Sequence, residues 1–155
     1  MNREEVYEQL KEIGELEKNW DEYDADPISA ATIKNTQNVI DILPDTWLEP
    51  ILEPTTADTI CVEYDILGKS LILEIHSNKC HIFIADGEVK DYINLNENLQ
   101  FDEDKKYIFE IQQIVNDFFK DIQTPEAYDR YIEEVARKGI EQAIRERDER
   151  MKKSE

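Results

Sequence analysis

Residues 59–85 alternate between apolar and polar side chains in three short runs, and this alternation constrains the fold more than any other feature of the chain. Each run places its apolar side chains on one face, which is the period of a half-buried β-strand. Asp86-Gly87 favours a type I′ turn, which predicts a fourth strand over 88–95. We therefore predict a four-stranded antiparallel β-meander with one aliphatic face. The first three strands are predicted at 59–66, 71–76 and 80–85, with two-residue turns at Gly68-Lys69 and Asn78-Lys79.

Helical patterns flank this predicted sheet on both sides. Apolar residues recur every three or four positions in two segments before the sheet and in two segments after it. Ser29 is an N-cap candidate for the second helix, and Thr124 followed by Pro125 begins the last one. The fold class is therefore predicted as α+β, a single acidic domain over residues 1–155, with the two C-terminal helices on the aliphatic face. The helices are predicted at about 3–18, 29–43, 103–121 and 125–150.

The charge of the chain restricts the class of partner. With 18 Lys+Arg against 37 Asp+Glu, the formal net charge is -19. Phosphate backbones and anionic lipids repel such a domain, so we expect neither direct nucleic-acid binding nor membrane binding. The same surface can meet a protein partner with a basic surface, or fill a DNA- or RNA-binding groove as an acidic nucleic-acid mimic. Solubility alone is the third explanation of the acidity.

The sequence also predicts where the chain resides. No segment reaches the roughly 18 apolar residues of a membrane span. The N-terminal residues carry acids and lack the apolar core of a signal peptide. The two cysteines, Cys61 and Cys80, do not form the disulfide framework of a secreted domain. We expect a cytoplasmic protein with reduced thiols and no cofactor.

Five side chains on the polar face of the predicted meander are candidates for a metal site. The predicted turns place Cys61 opposite His76, and His76 opposite His81. Thiolate, imidazole and carboxylate groups are the ligands of transition metals, so a metal-dependent enzyme is one alternative function. The simpler interpretation is the polar face of a half-buried sheet, and no HExxH or CxxC spacing favours a metal. The candidate ligands are Cys61, Glu63, Glu74, His76 and His81.

The loop after the first helix places two aromatic residues among acids. Trp20 can anchor a partner, or it can close the corner between the first two helices. We favour the second interpretation, because two helices that meet there need a large apolar cap. The loop has no central Gly and continues into Pro27, unlike a calcium-binding EF-hand loop. The binding candidates of this loop are Trp20, Asp21, Tyr23 and Asp24.

The segment Asn19–Ser29, NWDEYDADPIS, resembles an NWDGYGA-x-P-I-S motif found in a group of small bacterial and phage proteins. In that group a helix, a P-x-x-x-P-T segment and a strand meander follow, as Pro50–Thr55 and the strands from Thr59 do here. This chain departs from the motif at Glu22 and Asp24, where the group usually has Gly. The resemblance implies no catalytic residue. Because such proteins accompany mobile elements, toxin–antitoxin loci and phage-defence islands, it implies a non-catalytic protein-binding module of antitoxin, immunity or anti-defence type.

The last predicted helix loses its apolar residues toward its end. After Gly139 the helix retains Ile140, Ala143 and Ile144 and then becomes almost wholly charged. This pattern predicts that residues 139–155 form a projecting helical arm, with Ile140 and Ile144 as contact residues for a partner or for a homodimer. The alternative is that the two isoleucines cover an edge of the meander.

Overall fold

The computed structural model describes residues 1–66, 68–86, 93–120, 122 and 124–153. It confirms the α+β class and divides the chain into two compact units, Met1–Phe118 and Phe119–Glu155. The helices are α1 (Arg3–Gly14), α2 (Ala30–Ile42), α3 (Lys106–Phe118) and α4 (Pro125–Lys153). The strands are β1 (Ile51–Thr55), β2 (Thr59–Ile66), β3 (Lys69–Ile75), β4 (Lys79–Asp86) and β5 (Ile93–Gln100).

The five strands form one antiparallel sheet in chain order, β1-β2-β3-β4-β5. The prediction of four strands is wrong by one, because the segment between Pro50 and Pro54 pairs with β2 as an edge strand. Proline is tolerated at an edge, where one side of the strand has no ladder to join. β5 begins at Ile93, and residues 87–92 of the predicted fourth strand and its turn lie outside the described residues.

The predicted register of the meander is wrong by two residues. Both Cys61 and His81 lie opposite Glu74, whereas the sequence predicted that both lie opposite His76. His76 lies beyond the end of β3, so it is not the cross-strand partner of Cys61 or of His81. A shift by an even number of residues leaves every side chain on its face, so the predicted aliphatic face is confirmed.

The position of the turns explains this shift. Ile66 pairs with Lys69, so Gly68 is the second central residue of the turn and not the first. Its φ of 75° is the left-handed conformation that glycine adopts without strain. In the next hairpin the N–H of His76 donates to the carbonyl of Lys79 at 2.8 Å, which centres that turn on residues 77–78.

The aliphatic face of the sheet forms the core of the first unit. Helices α1 and α2 contact β1–β3, which the sequence did not predict for the N-terminal helices. Long-range hydrogen bonds at α2, described below, account for this arrangement. Among the sheet side chains that the structure describes, those with no solvent exposure are Ile60, Val62, Tyr64, Leu71, Leu73, Ile75, Cys80 and Ile82.

The helix boundaries follow local capping chemistry. Ser29 caps α2, where its hydroxyl accepts from the N–H of Thr32, and Thr124 caps α4 through the N–H of Ala127, both as predicted. α1 ends at Gly14, a weak helix former, earlier than predicted. α3 begins later than predicted, because Lys105 before it is left-handed with φ 54°.

The turns of two hairpins bind the N-terminal half of α2. Asp58, in the β1–β2 turn, accepts a hydrogen bond from the N–H of Ser29 at 2.8 Å. The carbonyl of Asp58 accepts from the Thr32 hydroxyl at 3.2 Å. The amide of Asn35 donates to the carbonyls of His76 and Ser77, in the β3–β4 turn, at 3.1 and 2.8 Å. Two hairpins of the sheet therefore fix where α2 lies.

Arg3 holds the C-terminal end of α2. Its guanidinium donates to the carbonyls of Ile40 and Leu43, and it forms an ion pair with Asp45 at 3.4 Å. The carbonyl between these two acceptors, that of Ile42, accepts from the Gln112 amide of α3 at 2.9 Å. The last carbonyls of a helix lack their usual partners one turn ahead, so these side-chain donors supply hydrogen bonds that the helix itself cannot complete.

We expect Arg3→Ala to lower the free energy of unfolding by about 2–3 kcal/mol, because two carbonyls of α2 lose charge-assisted donors. Lys11→Ala, at an exposed position of α1, is the control and should change the free energy of unfolding by no more than about 0.5 kcal/mol. Urea denaturation measures both variants. Equal stability of the two would contradict a capping role for Arg3.

Candidate functional site

The outer face of the sheet, opposite the aliphatic face, combines acidic and apolar side chains. The cross-strand pairs Ile51–Glu63 and Ile72–Phe83 lie on it, and Glu53 and Glu74 both flank Cys61. We call this surface the acidic sheet face. Its members are Ile51, Glu53, Glu63, Asp65, Ile72, Glu74 and Phe83.

Four of the five predicted metal ligands, Cys61, Glu63, Glu74 and His81, lie on this outer face, and His76 lies just beyond the end of β3. Among the residues that the structure describes, no group of three or more His, Cys, Asp and Glu side chains is placed to hold a metal ion. Nε2 of His76 lies 2.7 Å from Oε1 of Glu74. Burial, followed by the charges of Glu74, Glu63 and Glu53, raises the pKa of the Cys61 thiol to about 11. The thiolate is the nucleophilic form, so burial and these charges make the Cys61 thiol less reactive than an ordinary cysteine.

Like charges accumulate on the acidic sheet face. Burial raises the pKa of the Glu63 carboxyl, and the neighbouring charges of Asp65 and Glu53 raise it further. Asp65 accepts a hydrogen bond from the Ser70 hydroxyl at 2.6 Å. Within the described part of the chain, no Lys or Arg forms an ion pair with Glu53, Glu63 or Asp65. The folded protein therefore keeps mutual repulsion among these carboxylates.

Apolar side chains lie beside these acids on the same face. Phe83 and Ile72 are half-buried cross-strand neighbours, and Ile51 at the edge is 52% exposed. The Phe83 ring also lies 5.4 Å from the ring of His81, centroid to centroid. Ile51, Ile72 and Phe83 were not predicted from the sequence as binding residues. The alternation of Ile51, Leu52 and Glu53 between two prolines was the signal for the additional strand.

The loop between α1 and α2 is closed by its own polar side chains. Oδ1 of Asp21 accepts from the N–H groups of Tyr23 and Ala25, both at 2.9 Å. Oδ1 of Asn19 accepts from the N–H of Asp24 at 2.8 Å. Hydrogen bonds from these backbone groups, that from Ala25 above all, lower the pKa of the Asp21 carboxyl. Asp21 therefore has a structural role in the loop.

Two of the acids in this loop occupy left-handed backbone positions. Glu22 has φ 66° and Asp24 has φ 67°. These are the two positions at which the similar motif carries Gly, and glycine adopts this conformation at no steric cost. Glycine at these two positions of the motif could therefore adopt the backbone conformation that Glu22 and Asp24 have here.

Trp20 is less buried than the prediction of a cap between the first two helices expects. Trp20 is half-buried, and its indole N–H donates to the carbonyl of Asp26 at 2.7 Å within the same loop. The smaller side chains of Ala25 and Ile28 are the ones buried in this segment. Tyr23 is 88% exposed. The aromatic residues of the loop therefore retain surface that a partner can contact.

The structure places the other predicted binding residues as follows. Asp24 forms an ion pair with Nζ of Lys18 at 3.3 Å, which offsets part of its charge. Ile140 and Ile144 lie in α4 and are 62% and 44% exposed. They belong to the second unit and are considered below.

Comparison with protein-family models, with curated proteins and with solved structures found no match to this chain. Of the helices that the structure describes, none combines the length and the apolar character needed to cross a bilayer.

Removing one charge from the acidic sheet face should stabilise the fold. In the folded state the pKa of Glu63 lies above its ordinary value of 4.5, so its ionised form destabilises the native state at neutral pH. We expect Glu63→Gln to raise Tm at pH 7 by about 1–2 °C after allowance for solvent screening. The gain should disappear as the pH falls below 4.5, where Glu63 is protonated in both states. Thermal melts of wild type and variant at both pH values, with Glu8→Gln on α1 as control, test this. An equal gain from the control would contradict it.

The left-handed backbone of Glu22 predicts an unusual order of variant stabilities. Glu22→Gly should be more stable than Glu22→Ala by about 1 kcal/mol, because a Cβ is disfavoured at φ 66°. At an ordinary helical position, such as exposed Lys11, the order of the Gly and Ala variants reverses. Chemical denaturation of the four variants measures both differences. The same order at both positions would show that Glu22 is not held left-handed.

Proposed function

We propose that this chain is a non-catalytic protein-binding module that engages a basic partner surface through the acidic sheet face. The antitoxin, immunity or phage anti-defence type that the Asn19–Ser29 segment implies is the biological class we assign to it. The observation that carries the proposal is the placement of the carboxylates Glu53, Glu63 and Asp65 on one sheet face, next to the exposed apolar side chain of Ile51.

The acidic sheet face has the composition of a protein interface. Interfaces combine an apolar centre with a polar rim, and aromatic residues near the centre contribute most of the binding energy. Here Phe83 and Ile72 supply the apolar part on β3 and β4, and Glu53, Glu63 and Asp65 supply charge beside it on β1 and β2. Lys or Arg side chains of a partner would replace the repulsion among these acids by attraction. Binding would therefore lower the pKa of Glu63 and weaken at high salt.

The free edge of β1 is a less suitable docking site than this face. The N–H of Leu52 donates to Oε1 of Gln9 at 2.9 Å, and the Gln9 amide lies 3.4 Å from the carbonyl of Pro50. These contacts occupy backbone groups that an added strand would need. Recognition by side chains on the face is therefore favoured over extension of the sheet at β1.

Affinity capture from the native host, followed by binding measurements with the purified partner, tests the proposal. We expect Phe83→Ala to weaken binding by about 30-fold, which corresponds to a hot-spot residue, and Glu63→Lys to weaken it at least as much. Glu8→Lys makes the same charge change at an exposed position of α1 and is the control. It should leave the affinity nearly unchanged. Circular dichroism confirms that each variant is folded.

Two results would contradict this assignment. If Glu8→Lys weakens binding as much as Glu63→Lys, net charge and not the acidic sheet face drives the interaction. If the face variants bind like wild type, the partner docks elsewhere. Competition by double-stranded DNA or by RNA for the captured partner would identify the nucleic-acid mimic, because an ordinary protein ligand need not share the nucleic-acid site.

A further inference from the structure

α4 is a long helix whose second part is entirely exposed. It spans 29 residues, and every residue from Glu133 to Lys153 is exposed. Its ion pairs include Arg137–Glu141 and Lys138–Glu134, both at 3.1 Å and both one helical turn apart. Such pairs contribute only about 0.3–0.5 kcal/mol each. Helices of this length usually gain most of their stability by packing against another surface.

One side of this helix carries an apolar stripe. At 100° per residue, positions separated by four or seven residues lie on the same side. The apolar stripe of α4 consists of Ala136, Ile140, Ile144 and Met151. Both isoleucines are substantially exposed, as given above. β-Branched residues exposed at this spacing are typical of a helix–helix contact.

The charges along α4 indicate which partner packs on this stripe and in which direction that partner runs. Residues 126–134 hold four acids and one base, net -3, whereas residues 145–153 hold five bases and three acids, net +2. A second copy of the helix in antiparallel orientation brings the acidic end of each helix beside the basic end of the other. It also aligns the two helix dipoles favourably. A parallel pair brings like charges together along its whole length.

The side chains around Ile140 fit this antiparallel arrangement. Glu133 and Arg147 lie seven residues before and after Ile140, so both lie on the side of the apolar stripe. With Ile140 at the centre, Glu133 comes beside Arg147 of the second copy. Ile144 comes beside Ala136 of the second copy, which packs a large side chain against a small one.

We propose that α4 pairs with α4 of a second copy of this chain, antiparallel and centred on Ile140. This contact uses a different surface from the acidic sheet face, so the two proposals succeed or fail separately. The charge distribution of α4 favours a second copy of the same helix as its partner.

Sedimentation equilibrium of the full chain over a wide concentration range tests this proposal. We expect wild type to form a dimer of twice the 18.3 kDa chain mass. Replacing both isoleucines by Gln, a better helix former, should raise the dimer Kd at least about tenfold. Val135→Gln, an exposed position on the opposite side of α4, is the control and should leave Kd unchanged. A wild type that remains monomeric, or a double variant that dimerises like wild type, would overturn the proposal.

A charge exchange tests the orientation. Glu133→Arg places two Arg side chains together in the antiparallel pair and should raise Kd about tenfold. Adding Arg147→Glu to the same chain restores opposite charges and should return Kd close to the wild-type value. In a parallel pair each residue faces the same residue of the second copy. Each substitution would then replace one pair of like charges by another, and Kd would not change. Unchanged Kd values for both variants would overturn the antiparallel arrangement.

Discussion

The structure of the first unit depends on how the two ends of α2 are satisfied. A helix leaves backbone donors at its start and acceptors at its end, and here distant parts of the chain supply the partners. Asp58 and Asn35 connect α2 to two hairpin turns, and Arg3 connects its last carbonyls to α1. These contacts keep α2 on the aliphatic face of the sheet. Because that face is covered in this way, the outer face is where the sheet carries its polar side chains.

Burial of the aliphatic face of the sheet determines which side chains lie on its outer face. An antiparallel sheet with one buried face places alternate residues of each strand outward, so Glu53, Glu63 and Asp65 lie on the outer face together. Burial, followed by the neighbouring carboxylates, raises the pKa of Glu63, and burial followed by nearby acidic charges raises the pKa of Cys61. The acidic sheet face therefore lowers the stability of the fold, as functional surfaces often do.

The sequence predicted the features that depend on local periodicity. The burial of Ile60, Val62 and Tyr64 followed from period-two alternation, and the caps at Ser29 and Thr124 followed from local hydrogen bonding. The strand register was harder to predict from the sequence. It depends on which two residues are central in each turn, and Gly68 suits either the first or the second central position. The role of Arg3 was not predictable, since its acceptors lie about forty residues away in the chain. Ile72 and Phe83 could be placed on the outer face by alternation, but not recognised as the centre of an acidic surface without the register.

The positions of the acids bear on whether the acidity of this chain serves solubility alone. Any exposed position can supply charge for solubility at no cost to the fold. Glu22 and Asp24 instead occupy left-handed backbone positions, where an L-residue is disfavoured by about 1–2 kcal/mol relative to the right-handed conformation. Glu63 lies where burial and neighbouring acids oppose its ionisation. Three acids thus lie at positions that destabilise the native state, and solubility alone does not require acids at these positions.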